Sequence, residues 1–254
     1  NGNLYKFIDR ERKGDIINEL DDTQKLIILY GIASGMSYSI NYGVIHNDLK
    51  PENILITNEL LPKISDFDCA KVQNDDNENN CNTQTFNLTG EYVGTPIYMA
   101  PEVIEDEQNN TEKSDVYAFS IIAYELITSL VPYQRKMFRN RFALVDKVVK
   151  GLRPLIPNSF PHPYRDLITE CWASKPERRP TFKEITEKLK SDSFLNIENI
   201  NRDRFQEYVN YIDKNNDFFT KSQNIHRKSE NEKNIKNINI EVIDEVLKHS
   251  EQIT

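Results

Sequence analysis

Glycine and cysteine are scarce in this chain of 254 residues, and neither is arranged in a pattern that binds a ligand. The eight glycines form no GxGxxG or GxxxxGK sequence, so no glycine-rich phosphate-binding loop is predicted. The three cysteines, Cys69, Cys81 and Cys171, form no CxxC pair. An odd number without metal-ligand spacing argues against a disulfide framework or a structural zinc site. It favours a reducing compartment, for which we expect the cytoplasm.

A basic excess and a long apolar run are also missing from the sequence. The 40 acidic residues outnumber the 32 basic ones, which gives a formal net charge of −8. Neither nucleic acid nor an anionic membrane surface is therefore an expected partner. The most apolar stretch, Val116 to Pro132, contains Glu125 and is short for a membrane span, so it predicts a buried helix instead.

Two changes in composition divide the chain. Residues 73–82 are almost entirely polar or acidic and predict a solvated loop. From about residue 191 the chain is rich in Asn, Lys and Glu, although apolar residues still recur at helical spacing, as at Phe205, Val209 and Ile212. We predict a helical tail over 191–254, with a mobile linker near 221–237. The segment 195–213 is expected to dock on the preceding domain.

The pattern between these markers is mostly helical. Apolar periodicity predicts helices over 23–41, 115–130, 138–150, 163–173 and 181–190, the last beginning with a capping box of Thr181 and Glu184. Short apolar runs at 44–45, 54–56 and 63–65 predict short strands between loops. Gly31 and Gly35, which form a GxxxG spacing, are interpreted as helix-packing positions. The predicted fold class is mainly α, within the α+β class, with a few short strands.

Three segments of the sequence carry candidate chemistry. The run HNDLKPEN at 46–53 lies in a loop between two short strands and supplies a carboxylate at Asp48, a lysine at Lys50 and an amide at Asn53. The run DFD at 66–68 follows the third short strand and supplies Asp66. The run GTPIYMAPE occupies 94–102. Loops that follow neighbouring strands can direct these polar side chains into one cleft.

In this order, the three segments resemble the catalytic loop, the metal-binding triplet and the end of the activation segment of the eukaryotic protein kinases. Further matches follow in family order at 115–120, 151–154, 171–172 and 176–182, so the resemblance covers roughly residues 1–190. It implies a protein-kinase-like C-terminal lobe over 1–190, with its few strands around the catalytic loop, and a separate tail over 191–254. The first residues resemble the segment that follows the kinase hinge. We therefore expect a fragment whose partner is the missing N-terminal lobe of the same polypeptide.

The resemblance implies catalytic roles for Asp48, Lys50 and Thr95. Asp48 would accept the proton of the attacking hydroxyl group or orient that group, and Lys50 would offset charge on the transferred phosphoryl group. Thr95 would form a hydrogen bond near both side chains and shape the acceptor site.

The resemblance also implies ATP and Mg²⁺ as cofactors. Asn53 and Asp66 are hard oxygen ligands that would bind Mg²⁺. Leu55 would line the adenine pocket, and Asn3 occupies the position that often contacts the ribose in this family. Without the N-terminal lobe, the chain alone is expected neither to hold ATP tightly nor to transfer phosphate at a useful rate.

Four other residues are expected to be structural. By analogy with the family, His46 braces the catalytic loop, Asp115 anchors the backbone of that loop, and Glu102 forms a buried ion pair with Arg179.

Two residues depart from the family pattern. Asn47 replaces the arginine that normally pairs with a phosphorylated residue of the activation segment, so this route of control is expected to be absent. Asp68 replaces the glycine that follows Phe67, and we expect altered switching and weaker nucleotide affinity. Hydroxyl groups of the activation segment that are candidates for phosphorylation are those of Thr83, Thr85, Thr89 and Tyr92.

The catalytic loop resembles the serine/threonine form, whereas Cys171-Trp172 and the residues at 151–157 resemble the tyrosine-kinase-like branch. We therefore predict a tyrosine-kinase-like serine/threonine protein kinase that acts on protein substrates. The alternative is a pseudokinase or lobe-only scaffold that binds partner proteins without catalysis. Asp68 and the missing nucleotide machinery favour the scaffold, whereas the catalytic-type residues at 48, 50, 53, 66 and 95 favour the enzyme.

Overall fold

The fold is helical with a few short strands, in agreement with the predicted class. The computed structural model describes residues 2–15, 20–72, 96–133 and 141–229, with the backbone alone for 96, 141 and 216–229. The helices are α1 (Leu4–Arg12), α2 (Asp22–Asn41), α3 (Pro101–Glu105), α4 (Glu112–Thr128), α5 (Arg141–Val149), α6 (His162–Cys171), α7 (Phe182–Leu189), α8 (Asp192–Leu195) and α9 (Arg202–Ser229). The strands are β1 (Gly2–Asn3), β2 (Val44–Ile45), β3 (Ile54–Ile56), β4 (Pro62–Ile64) and β5 (Lys71–Val72).

The strands form two small antiparallel sheets on either side of the loop at 46–53. In the first sheet, of order β1-β3-β4, Asn3 pairs with Leu55 and Ile54 pairs with Ile64. In the second sheet β2 pairs with β5, with Val44 opposite Val72. All three predicted strands are confirmed, although the one predicted at 63–65 begins and ends one residue earlier.

Helix α4 lies at the centre of the core. A capping box begins it, in which Thr111 Oγ1 accepts from the Lys113 N–H at 3.2 Å and the Thr111 N–H donates to Ser114 Oγ at 2.8 Å. The helix ends at Ser129, which adopts a left-handed conformation with φ of 54°. The sequence pattern predicted 115–130, because the polar capping residues do not contribute to the apolar periodicity. None of the helices in the described ranges is both long and apolar enough to cross a membrane.

Helix α2 is more completely enclosed than its sequence predicted. The apolar periodicity predicts one buried stripe of Leu26, Leu29, Ala33, Met36 and Ile40, of which the first four are buried and Ile40 is partly buried. Residues on other faces of the helix are buried as well, among them Ile28 and Ile32. The reason is that α2 contacts three helices, α4, α7 and α9, and two strands, β2 and β4. The enclosed helix therefore connects the core of the domain to strand β4, which leads to Asp66.

The two glycines of α2 allow strand β4 to approach the helix closely. A Cβ atom at Gly31 would lie 2.5 Å from Pro62 Cγ, and one at Gly35 would lie 2.9 Å from Ile64 Cδ1. Both distances are shorter than real Cβ contacts, so any larger residue forces a shift. The packing interpretation of this GxxxG spacing is thus confirmed: strand β4 approaches both glycines, and Tyr208 of helix α9 also approaches Gly31.

The remaining predicted helices differ from the structure mainly at their ends. The helix predicted at 163–173 is observed as α6, and the one at 181–190 as α7, which begins with the predicted capping box of Thr181 and Glu184. Helix α5 corresponds to the prediction at 138–150, of which residues 138–140 lie outside the described residues.

Helix α9 corrects one part of the tail prediction. The segment 195–213 packs on the preceding helices as expected, because Phe205, Tyr208 and Val209 belong to the same buried cluster as α2 and α4. The helix continues to Ser229, however, so residues 221–229 of the predicted linker are helical. The segment contains no glycine or proline to end the helix. Residues 230–254, like the acidic loop at 73–82, lie outside the described residues.

The predicted ion pair of Glu102 and Arg179 is confirmed, and it is bidentate. Arg179 Nη1 lies 2.6 Å from Glu102 Oε1, and Nη2 lies 2.7 Å from Oε2. Arg179 also donates to the carbonyl oxygens of Ala173 at 2.9 Å and Lys113 at 2.8 Å. Its side chain is fully buried, so each donor of the guanidinium needs such a partner.

We predict that Arg179→Met lowers the free energy of unfolding by about 3–5 kcal/mol, because the carboxylate of Glu102 is left without its charge partner in a mostly buried position. Urea denaturation followed by circular dichroism measures the change. The control is Lys188→Met, since Lys188 pairs with Glu170 on the exposed surface and its loss should cost less than about 1 kcal/mol. Equal effects of the two substitutions would contradict the prediction.

Candidate active site

The backbone of the loop at 46–53 is held by a buried carboxylate. Asp115, in the first turn of α4, accepts from the His46 N–H at 2.8 Å through Oδ2 and from the Asn47 N–H at 3.0 Å through Oδ1. Burial raises the pKa of Asp115 to about 7, although both backbone hydrogen bonds act in the opposite direction. The expected role of Asp115 as an anchor of the catalytic-loop backbone is confirmed.

His46 braces the same loop from inside the core, as expected. Its Nδ1 atom accepts from the Asp48 N–H at 3.3 Å, and its Nε2 atom lies 3.1 Å from the Ser65 carbonyl oxygen. This pattern requires the neutral tautomer with the proton on Nε2. Burial lowers the pKa of His46, which also favours the neutral ring. The ring packs on Phe67 at a centroid distance of 4.7 Å, so His46 connects the two predicted catalytic segments.

The three polar residues predicted from the HNDLKPEN run meet at one carboxylate. Lys50 Nζ lies 2.5 Å from Asp48 Oδ2. Asn53 Nδ2 donates to the same Oδ2 atom at 3.0 Å and to the Asp48 carbonyl oxygen at 2.8 Å. The Asp48 side chain nevertheless remains 34% exposed, so a substrate can reach it. The structure thus brings together a carboxylate, an ammonium group and an amide, as the sequence predicted.

Asp66 and Asn53 are brought together by the β3–β4 pairing. Beyond the last strand pair, the Ser65 N–H donates to the Asn53 carbonyl oxygen at 2.9 Å, and Ser65 Oγ donates to it at 3.0 Å. Asp66 follows directly, is exposed and adopts a left-handed conformation with φ of 65°. Aspartate tolerates this conformation better than most residues.

The donor set of this pair fits Mg²⁺. Carboxylate and amide oxygens are hard ligands, and Mg²⁺ is usually bound by one or two side chains, with water and substrate phosphates completing its octahedron. In the ranges that the structure describes, no group of three or more His, Cys, Asp or Glu side chains is arranged to hold a metal ion. A site here would therefore depend on the nucleotide for its remaining ligands.

The two residues predicted to contact the nucleoside lie opposite one another in the first sheet. Leu55 is 46% exposed, which is unusual for a leucine at the centre of a three-stranded sheet. Its partner Asn3 is the N-cap of α1, where Asn3 Oδ1 accepts from the Lys6 N–H at 3.2 Å. Thr95 and the candidate phosphorylation sites Thr83, Thr85, Thr89 and Tyr92 lie outside the described residues.

One buried network was missed by the sequence analysis. Glu125 of α4 accepts from Tyr98 Oη through Oε2 and from Arg12 Nη2 through Oε1, each at 2.5 Å. Tyr98 belongs to the GTPIYMAPE run, so the network ties the end of that segment to α1 and α4. Burial raises the pKa of Glu125, and both hydrogen bonds oppose that shift. A lone carboxylate in an apolar helix signals a buried partner, but the sequence alone does not identify it.

Comparisons with known proteins agree with this arrangement. Residues 1–189 match the family model described as protein tyrosine and serine/threonine kinase. Because the match covers well over half of the chain, the chain belongs to the eukaryotic protein kinase family. Protein substrates, ATP and a divalent metal are general features of that family.

Named relatives support the same membership. The chain is 34% identical to the RGS domain-containing serine/threonine-protein kinase A of Dictyostelium discoideum over 78% of its length and 16% of the relative's. A LIM domain-containing serine/threonine-protein kinase of the same organism is 38% identical over 75% of the chain and 28% of the relative. A dual specificity protein kinase from that organism is 34% identical over 72% and 27%. The chain therefore spans less than a third of each of these proteins.

We predict that Asp115→Asn destabilises the domain, because an amide NH₂ group would face a backbone N–H donor at one of the two anchoring hydrogen bonds. The expected loss is about 1–3 kcal/mol, that of an unsatisfied buried polar group. It should depend on pH. The folded pKa of about 7 exceeds the ordinary value of 3.8, so the stabilisation from Asp115 is greatest below pH 4 and is lost as the pH rises towards 7.

The measurement is the difference in free energy of unfolding between wild type and Asp115→Asn across this pH range. The matched control is Asp166→Asn on the exposed side of α6, which should give only a small difference in free energy. A difference for Asp115→Asn that stays constant across this pH range would contradict the prediction.

Proposed function

We propose that residues 1–190 form the C-terminal lobe of a serine/threonine protein kinase, an enzyme that transfers the γ-phosphate of ATP to hydroxyl groups of proteins once its N-terminal lobe is present. The observation that carries the proposal is the meeting of Lys50 and Asn53 at one partly exposed carboxylate, Asp48. Phosphoryl transfer requires positioning and charge neutralisation more than covalent chemistry, and this cluster supplies both.

In the proposed reaction the acceptor hydroxyl oxygen forms a bond to the γ-phosphorus, and the bond to the β–γ bridging oxygen breaks to leave ADP. Asp48 orients the hydroxyl group and takes its proton. Lys50 offsets charge on the transferred group, for which its position 2.5 Å from Asp48 is suitable. Asn53 holds the Asp48 carboxylate in place through its amide and contributes its oxygen to the metal site. Thr95 is proposed to complete the acceptor site.

Asn53 and Asp66 are the proposed Mg²⁺ ligands. A metal ion held by these two residues would offset negative charge on the phosphates of the nucleotide. The exposed Leu55 and its strand partner Asn3 are proposed to face the adenine and the ribose. The sequence has neither a glycine-rich loop nor the strand lysine of this family, so we propose that an N-terminal lobe supplies them and covers the nucleotide.

Residue choices within the family suggest the substrate class. The lysine of the catalytic loop and the serine/threonine kinase names of two relatives support serine and threonine as acceptors. The residues at 151–157 and 171–172 support the tyrosine-kinase-like branch. Cys171 is a buried thiol, which is compatible with the cytoplasm as the proposed location.

A scaffold without catalysis is the second candidate, and Asp68 is the observation that favours it. This exposed residue adds a carboxylate two positions after the proposed metal ligand Asp66, where the family has glycine. A side chain there restricts the backbone and alters the charge next to the metal site. The assay below separates the two candidates.

The polypeptide of the complete reading frame is expected to phosphorylate a generic protein substrate on serine or threonine in the presence of Mg²⁺. We predict that Asp48→Asn lowers kcat about 10²–10⁴-fold, the usual contribution of a positioned general base. The KM for ATP should change little, because Asp48 is assigned to the acceptor hydroxyl rather than to the nucleotide. Transfer of radiolabelled γ-phosphate, followed by phosphoamino-acid analysis, measures the effect.

The matched control is again Asp166→Asn, which makes the same chemical change on the exposed surface of α6 and should retain full activity. Turnover that survives Asp48→Asn would overturn the assignment of Asp48. Absence of turnover in the wild type, together with normal folding, would favour the scaffold.

A further inference from the structure

We propose that helix α9 positions the β3–β4 hairpin (Ile54–Ile64), which carries Asn53 at one end and Asp66 at the other. This inference rests on the proposed function, since it concerns the placement of the proposed metal ligands. It assigns to the segment after residue 190 a role in the active site rather than that of an appendage.

Helix α9 packs on α2 as part of the core. Phe205 and Val209 are almost fully buried, at 1% and 2% exposure. The ring of Tyr30 on α2 makes edge-to-face contacts with Phe205 at 5.5 Å and with Tyr208 at 6.2 Å. Aromatic contacts of this kind fix both the distance and the orientation of the two helices. The position of α9 on α2 is therefore well defined.

The first of two links to the hairpin passes through Gly31. A Cβ atom at this glycine would lie 2.4 Å from Tyr208 Oη and 2.5 Å from Pro62 Cγ. Both atoms thus converge on the same point, and the distance between them is at most the sum of those two values. Tyr208 of α9 and Pro62 of β4 meet in the space that the missing side chain leaves on α2.

The second link is a relay of hydrogen bonds through Gln24, a buried polar residue with 2% exposure. Arg204 of α9 donates from Nη2 to Gln24 Oε1, and its Nη1 atom lies 2.7 Å from Asp21 Oδ2. Gln24 Nε2 donates in turn to the Leu60 carbonyl oxygen at 2.7 Å. A buried amide needs partners for both its oxygen and its nitrogen, and here α9 satisfies one and the hairpin the other.

The relay ends at Leu60, whose backbone conformation is strained. Leu60 lies in the β3–β4 turn and has φ of 62°, a conformation that is unfavourable for leucine and needs support from its surroundings. The Gln24 hydrogen bond supplies such support. Because β4 runs from this turn to Ser65 and Asp66, a shift of the turn displaces Asp66 relative to Asn53.

The test compares two arginines of the first turn of α9. Arg204→Met removes the α9 end of the relay, whereas the control Arg202→Met removes contacts to Leu195, the last residue of α8, and to Asn196, and leaves the relay intact. Two quantities are measured on the same polypeptide as in the activity assay above: hydrogen exchange of peptides covering 54–66, with α6 as the reference, and the Mg²⁺ concentration for half-maximal activity.

For Arg204→Met we expect exchange in 54–66 to be about 3- to 10-fold faster, the range that follows from the loss of one hydrogen bond. The half-maximal Mg²⁺ concentration should rise about 3- to 10-fold at nearly constant kcat. Arg202→Met should change neither quantity. Gln24→Met interrupts the relay at its middle residue and leaves the sequence of α9 unchanged. It should reproduce both effects, and it serves as the second variant if Arg204→Met folds poorly.

The two readouts separate the two proposals. If turnover depends on Asp48 but Arg204→Met and Gln24→Met behave like Arg202→Met, the role of α9 is refuted and the proposed function stands. If exchange in 54–66 rises as expected while the wild type shows no turnover, the link between α9 and the hairpin is upheld and the proposed function fails.

Discussion

Two backbone N–H groups of the catalytic loop form hydrogen bonds with a carboxylate buried beneath the loop rather than with a neighbouring strand or helix. Asp115 accepts from two consecutive residues, His46 and Asn47, and the first turn of α4 favours a negative charge at this position. Since Asp48 is the next residue along the chain, its position is set by an anchor in the centre of the core. The surrounding contacts extend this constraint, because both His46 and Asn53 form hydrogen bonds with the backbone of Ser65, which directly follows β4.

Much of the fold and most of the candidate site could be predicted from sequence because they depend on local patterns. Helix α2 and the three predicted strands follow from apolar periodicity, and Asp48, Lys50 and Asn53 lie within six residues of one another. The network of Arg12, Tyr98 and Glu125 could not be predicted in this way, because its members are separated by more than 25 residues and share no pattern. The length of α9 was underestimated because a polar, Asn- and Lys-rich composition lowers helix propensity without ending a helix, for which glycine or proline is the usual signal.

The contacts of α2 explain why its sequence does not show how completely the helix is buried. A helix with one apolar face normally lies on a surface, but α2 is covered by two strands as well as by three helices. Gly31 and Gly35 are needed where the strand approaches, and the space at Gly31 is shared by side chains from β4 and α9. A single glycine thus serves two interfaces formed by residues 31, 62 and 208, which only the folded chain brings together. The GxxxG spacing predicts close approach but does not identify the neighbour.

Asn47, which departs from the family pattern, joins the loop at 46–53 to the residues that follow Phe67. Its amide Nδ2 donates to the Cys69 carbonyl oxygen at 2.9 Å, and its backbone is held by Asp115. Next to this hydrogen bond, strand β2 before the loop pairs with strand β5 after Phe67. The loop at 46–53 and the start of the activation segment are therefore joined by neutral hydrogen bonds, which form without any modification. An arginine at this position would offer a charge that a phosphate group could bind, whereas asparagine offers none.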